Sequence, residues 1–387
     1  MIGLTKLLTG RSTPADRLRY GGAGVVNHEF AGQAGYRPVV VWNITDMCNL
    51  ACEHCYYSAV IGKRPVTMTL DVIRKTIDQL AEVGVPVVLF SGGEPLVHPD
   101  IFAAIEYCHA QGIKPVLSTN GTLITPARAK RLVACGLDYV GISLDGSEET
   151  HNRFRRHPTA YQRTLAGMKN SIAAGMRISV RFTLTETNHQ DLDDVIDTAV
   201  RMGAHRLCVY HLVPSGRARR DGDIDNDVRR AAIEGLCARV PDLDLEVLTV
   251  DSPADGPLAY AWALEHLPDR APEILKMLRM RTPADGSGRR IVEIDHRGDV
   301  HPNQFWLDHS CGNILTESFA DIWNRETGLL ADLRSDPWPL EGDCATCSFA
   351  RECGGFRARA NRYHGTLWGA DPSCALTAPE RTMEFAP

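Results

Sequence analysis

The chain has 387 residues, 44% hydrophobic and 23% charged, with a formal net charge of -6. At roughly 150 residues per domain this length predicts two or three domains and suffices for a core. The apolar share excludes wholesale disorder, and the acidic balance argues against broad charge-driven nucleic-acid binding. No apolar run approaches the roughly 18 residues of a spanning helix. From Met1 to Tyr20 apolar residues alternate with Lys and Arg, without an apolar signal core. A cytoplasmic protein with no nucleic-acid or membrane partner is therefore expected, and a monomer.

Residues 1–36 read as a polar, Gly-containing arm with no clear period. A repeat then begins. Short β-branched runs at 39–44, 87–90, 115–118, 139–144, 177–184 and 207–213 predict strands. Amphipathic stretches at 70–83, 100–111, 126–135, 161–174 and 192–202 predict helices between them. Continuous apolar strands alternating with helices make an α/β fold on a parallel sheet. Six units fit a partial (β/α)6, TIM-like barrel over 37–225 better than a closed barrel of eight. Residues 226–288 read as a helical bridge. A hairpin at 290–300, turning near Arg297 and Gly298, opens a loop-rich domain over 289–387. The polar motifs fall at C-terminal strand ends, where parallel α/β folds place their chemistry.

Twelve cysteines stand out. Without a signal segment, clustered cysteines point to thiolate ligands rather than disulfides. Cys48-x3-Cys52-x2-Cys55 follows the first strand. Three thiolates in one loop can hold three irons of a cubane and leave one iron open to a cofactor or substrate. Structural zinc, the competing reading, wants a fourth ligand. His54 is the nearest, but it adjoins Cys55. Cys108, Cys135, Cys208 and Cys237 are scattered on apolar faces and read as small hydrophobes.

This cysteine spacing, one strand into a partial barrel, closely resembles the radical S-adenosylmethionine (SAM) superfamily. Ser91-Gly92-Gly93-Glu94-Pro95 resembles its GGEP motif, whose backbone and Glu hold the SAM amino group. Glycines let a backbone approach closely, and a carboxylate suits an ammonium. Ser118 and Asn120, with Ser143 and Asp145, match strand-end positions that contact the SAM methionine or ribose. Arg181 stands where a fifth-strand residue meets the SAM carboxylate. For each of these, an ordinary strand-ending turn is the competing reading. The resemblance implies that the open iron chelates SAM, and that reductive cleavage yields a 5′-deoxyadenosyl radical which takes hydrogen from the substrate. It also implies an electron donor such as ferredoxin or flavodoxin.

Cys344-x2-Cys347-x5-Cys353, followed by Cys374, resembles the SPASM or twitch extension of that superfamily. Phe356 and His301-Pro302 stand where further cysteines are common, which implies one auxiliary 4Fe-4S cluster on Cys344, Cys347, Cys353 and Cys374. Zinc on the same four thiolates is the competing reading. Cys311 reads as a buried thiol. Two 4Fe-4S clusters and SAM are thus the implied cofactors.

Longer strings narrow the group. Val39 to Thr45, Tyr210-His211-Leu212-Val213 with Ser215-Gly216-Arg217, Leu248 to Asp251, and Gly298 to Trp306 resemble the tetrapyrrole-modifying branch. So do Met1 to Leu8 and Asp16 to Gly21. That branch removes acetate side chains from 12,18-didecarboxysiroheme to give Fe-coproporphyrin III in alternative haem biosynthesis, or propionates on the way to haem d1. Asn303-Gln304 and Cys311 depart from the deacetylase pattern. An iron tetrapyrrole needs cations for its carboxylates and aromatic walls for its ring. Arg153, Arg155 and Arg156 after the fourth strand, and Arg217, Arg219 and Arg220 after the sixth, are the expected cations. Tyr210, His211, Phe305 and Trp306 are the expected walls. His211 or His301 is a candidate iron ligand, with a hydrogen-bonding role the alternative. Two further readings remain open: a SPASM maturase acting on a ribosomal peptide, and a non-catalytic iron–sulfur or haem carrier.

Overall fold

The computed structural model describes residues 1–13, 37–62, 67–280 and 283–383. The Asp16 to Gly21 string and most of the arm lie outside them. The described residues form twelve strands: β1 (Ile2–Gly3), β2 (Val39–Asn43), β3 (Met47–Cys48), β4 (Val60–Ile61), β5 (Val87–Ser91), β6 (Lys114–Thr119), β7 (Tyr139–Ser143), β8 (Ile178–Leu184), β9 (Arg206–His211), β10 (Glu246–Val250), β11 (Ile291–Ile294) and β12 (Val300–His301). Ten of them form one sheet in the order β1-β10-β9-β8-β7-β6-β5-β2-β11-β12. From β10 to β11 every neighbouring pair is parallel, with registers such as Val40 on Val88 and Leu117 on Val140. A short antiparallel strand finishes each edge.

The six expected strands are all present, each followed by a helix that returns over the sheet. The helix Leu70–Val83 shows why. Ile73, Thr76, Ile77 and Leu80 recur on one buried face, and Gly84, left-handed at φ 75°, ends it by donating to the carbonyls of Ala81 and Leu80. Each fully buried Ile or Leu contributes about 1.5–3 kcal/mol. Sheet and helices share one core, from Val40 and Trp42 through Phe90, Leu117, Ile142 and Val180 to Val209 and Val247.

Three elements differ from the sequence reading. The bridge is not purely helical: β10 lies inside it, with all five residues buried, and pairs parallel to β9. The arm begins with β1 and the helix Leu4–Thr9, whose Leu4, Leu7 and Leu8 are buried. The hairpin β11–β12 does not start a separate sheet; β11 pairs parallel to β2. The partial barrel is therefore longer by one parallel strand on each side. Among the described residues no helix is long and apolar enough to cross a membrane.

Candidate active site: a cysteine-lined cavity at the strand ends

The parallel strands end around a cavity of about 190 Å³. Cys48, Cys52 and Cys55 all line it. Their loop leaves β2 at Asn43, and its first turn is tied to the neighbouring strand end. Gly93 N–H donates to the Thr45 carbonyl at 2.7 Å, and Glu94 N–H to the Met47 carbonyl at 2.8 Å. The two loops touch so closely that a Cβ on Gly93 would lie 2.0 Å from the Met47 carbonyl oxygen, and one on Gly92 2.4 Å from that of Thr45. The glycines are thus required by backbone packing against the cysteine loop. Gly93→Ala is expected to push that loop aside, lowering iron retention and SAM cleavage together; normal iron content with full cleavage would contradict this role.

Each sulfur receives a hydrogen bond: Cys48 from Leu50 N–H at 3.4 Å and from Asn120 Nδ2 at 4.0 Å, Cys52 from Arg155 Nη1 at 3.5 Å, and Cys55 from Ala59 N–H at 3.4 Å. Burial, reinforced by the Glu94 carboxylate, pushes the Cys48 thiol up to about 12. Burial likewise raises Cys52. Such thiols stay neutral alone, whereas coordination to a metal deprotonates a thiol outright. The donor set, three buried sulfurs with N–H donors aimed at them, fits an iron–sulfur cluster. Among the described residues no three His, Cys, Asp or Glu converge on a single point as one bound ion would need. His54 stacks on Phe154, ring centroids 4.0 Å apart.

The other expected cofactor contacts divide into two groups. Gly92, Gly93, Ser118, Asn120, Ser143 and Arg181 line the cavity. Glu94, Pro95 and Asp145 do not. The Glu94 carboxylate is fully buried and accepts from Thr119 Oγ1 and from the N–H groups of Asn120 and Leu96. It braces two strand ends, with no atom turned to a ligand. Pro95 starts a buried 3-10 turn behind it. Asp145 is fully buried and pairs with Arg155, Nε to Oδ2 2.6 Å. Arg181 lies across Gly141 of β7, where a Cβ would be 2.1 Å from its Nε, and donates to Ser118 Oγ at 2.5 Å. Its Nε has no hydrogen-bond partner, and among the described residues no carboxylate pairs with it.

The expected substrate cations divide in the same way. Arg155 is buried against Cys52 and Asp145, so it serves the cysteine loop. Arg153 and Arg156 flank it on the helix Glu148–Arg155 and its cap, exposed and off the cavity; Arg156 reaches Glu53 at 3.5 Å. Arg217 lines the cavity, but its Nε donates to the Cys52 carbonyl at 2.9 Å and its Nη1 to that of Ala59 at 2.6 Å. Neighbouring Gly216, at φ 60°, packs onto the carbonyls of Tyr56 and Cys55. The loop after β9 is thus a clamp on the cysteine loop. Arg219 and Arg220 are exposed.

Of the expected walls, Tyr210, His211 and Phe305 line the cavity and Trp306 is buried behind it. His211 has both ring nitrogens engaged: Nε2 with Asp255 Oδ2 at 2.8 Å, and Nδ1 with Arg229 Nη1 at 2.6 Å. Burial keeps its pKa below the ordinary value. With both ring nitrogens held, neither is turned to a ligand. His301 lies off the cavity, its Nδ1 at the His309 carbonyl.

A second cavity of about 250 Å³ is lined by Cys344, Cys347, Cys353 and Cys374. Gly355 N–H donates to Cys353 Sγ at 3.3 Å. Burial, with Cys374 beside it, holds the Cys353 thiol well above its ordinary value. Four cysteines lining one cavity again fit a cluster. Cys311 lies outside this cavity. The two sites are joined by Arg359, buried on the helix Arg357–His364: it pairs with Asp371 at 3.2 Å and donates to the carbonyls of Leu212 and Asp251 beside the first cavity.

A parallel α/β half-barrel with three cysteines lining a cavity at its strand ends, and four more lining another, has the donor sets of an iron–sulfur protein. Comparison with known proteins specifies it. Residues 42–199 match the model of the radical SAM superfamily, and residues 286–348 that of the iron-sulfur cluster-binding SPASM domain. Fe-coproporphyrin III synthase of Methanosarcina barkeri is 37% identical, over 98% of both chains. Pre-heme d1 synthase of Dinoroseobacter shibae is 35% identical, over 89% of this chain and 87% of its own. The structure of Streptococcus suis SuiB bound to S-adenosylmethionine shares the fold at a TM-score of 0.68 and 17% identity, covering 88% of this chain and 78% of SuiB. The chain belongs to the radical SAM superfamily and carries a SPASM domain. These domains imply two 4Fe-4S clusters and SAM.

Proposed function

We propose that this enzyme removes acetate side chains from a siroheme-derived iron tetrapyrrole, converting 12,18-didecarboxysiroheme to Fe-coproporphyrin III in alternative haem biosynthesis. The observation that carries this reading is end-to-end similarity to the M. barkeri synthase. When bound, the first cluster and SAM supply a 5′-deoxyadenosyl radical for hydrogen abstraction. The chain's own residues do the rest. Cys48, Cys52 and Cys55 hold the first cluster, with Arg155 and Arg217 fixing their loop. Arg181, a cation without an acidic partner, takes the SAM carboxylate. Ser118, Asn120, Ser143 and the backbone of Gly92 and Gly93 surround the rest of the cofactor. Tyr210, Phe305 and the rigid His211 form the substrate wall. About 190 Å³ is below the size of a site for a whole drug-sized ligand. A tetrapyrrole would therefore stand at the mouth with one edge inserted, its exclusion of water completing the site. Cys344, Cys347, Cys353 and Cys374 hold the auxiliary cluster.

The proposed domains run 1–36 (arm), 37–225 (barrel), 226–288 (bridge) and 289–387 (SPASM). The proposed setting is a cytoplasmic monomer reduced by a ferredoxin or flavodoxin, without nucleic-acid or membrane partners. A second reading, propionate removal toward haem d1, is supported by similarity to the D. shibae enzyme. Anaerobic incubation with SAM, reductant and didecarboxysiroheme distinguishes them. The expected result is 5′-deoxyadenosine together with a tetrapyrrole lighter by acetate losses. Propionate losses would favour the second reading, and deoxyadenosine with unchanged tetrapyrrole mass would refute both.

A further inference from the structure

Asp251 is the first residue beyond β10, at the C-terminal strand end where this architecture places its chemistry. It lines the first cavity, on the part of the wall that β9 and β10 build. Its φ of 65° lies in the left-handed region, which Asp and Asn tolerate better than most residues. Arg359 Nη2 holds the turn through the Asp251 carbonyl at 2.8 Å. Its Oδ2 is buried with no hydrogen-bond partner, in a residue only 9% exposed. Gln304, which lines the same cavity, has its Oε1 orphaned in the same way. Buried polar atoms without partners are rare in native folds, and four residues of this cavity carry one, His54 and Arg181 being the others, which marks a place for a ligand.

The surrounding charges limit what that ligand meets. Arg155, Arg217, Arg229 and Arg359 are committed to internal partners. Arg181 serves the cofactor in the reading above. At the β9–β10 end an incoming carboxylate would meet the Tyr210 hydroxyl and Asp251. We propose that Asp251 contacts the substrate as a neutral carboxylic acid, donating a hydrogen bond to one of its carboxylates. This rests on the tetrapyrrole reading and goes beyond it by naming the group that receives a side-chain acid. Acid-to-carboxylate hydrogen bonds are short and strong. The groups facing Asp251 are the Met1 amino group and Arg359, which favour its anion, Asp285, which disfavours it, and Tyr210 on β9. Burial outweighs them and pushes its carboxyl up to about 7. An arriving anion raises it further, so the proton stays on binding.

The test is a titration of reconstituted enzyme with 12,18-didecarboxysiroheme, followed by absorbance without reductant from roughly pH 6 to 9. Wild-type Kd should be level below about pH 7 and rise about tenfold per unit above it. Asp251→Asn keeps a donor and the left-handed backbone, and should bind as the wild type does at low pH but with a flat profile. Asp251→Ala should bind weakly at every pH; iron content reports folding of both variants. A flat wild-type profile, or Asn no better than Ala, overturns the inference and leaves the tetrapyrrole reading standing. No binding by the wild type at any pH overturns that reading, and the inference with it.

Discussion

Replacing Cys48, Cys52 or Cys55 singly with Ala is expected to reduce SAM cleavage to background. Each sulfur lines the same cavity and each is held by its own N–H donor, so no neighbour is placed to substitute. Iron should fall from about eight to about four atoms per chain, since the four cysteines of the second cavity are untouched. Cys344→Ala should remove the other half of the iron and leave the SAM-sensitive EPR signal. Deoxyadenosine, iron content and EPR with and without SAM read these outcomes. A wild type that cleaves no SAM under strong reductant would favour the carrier reading. A Cys48→Ala protein that still cleaves it would remove the cysteine loop from the mechanism.

The cysteine loop was legible because its chemistry is local: three sulfurs within eight residues need no tertiary information to be recognised as a set. The six strands were legible for a similar reason, since parallel strands buried on both faces leave continuous β-branched runs. β10 was not, because Glu246-Val247-Leu248-Thr249-Val250 begins with a charge and lies between two helices, Asn226–Arg239 and Asp255–His266. Glu246 is tolerated there because Arg206 of β9 pairs with it at 2.5 Å. That compensation is invisible along the chain.

The placement of the arginines was hidden in the same way. A run such as Asn152-Arg153-Phe154-Arg155-Arg156 shows its positive charge but not which member faces inward. The helix sends Phe154 and Arg155 toward the core and leaves Arg153 and Arg156 in solvent. Helical phase supplies part of that signal, since His151 and Phe154 are three apart on the buried face. Gly141 also went unread. A glycine inside the strand Tyr139–Ser143 signals close approach by another group, here the Arg181 guanidinium.

Asp145→Ala should destabilise the fold by about 3–5 kcal/mol, because it leaves Arg155 as an uncompensated buried charge. Arg155 is 8% exposed and Asp145 0%. Asp145 also accepts from Thr183 N–H at 3.4 Å, so the loss reaches β8 as well as the helix after β7. A urea midpoint reads the change, and a shift of under about 1 kcal/mol would show that the pair adds nothing to the fold. The double variant Asp145→Ala with Arg155→Met separates stability from chemistry. Replacing both charges with apolar groups should recover most of the lost stability, since desolvation of a buried pair offsets much of its attraction. It should not recover the cluster's properties, because Cys52 still lacks the Nη1–H donor that Arg155 supplies at 3.5 Å. Hydrogen bonds to cluster sulfurs raise the reduction potential, so the double variant should show a lower potential for the first cluster and slower SAM cleavage at fixed reductant. A double variant with wild-type potential would make Arg155 a purely structural partner of Asp145.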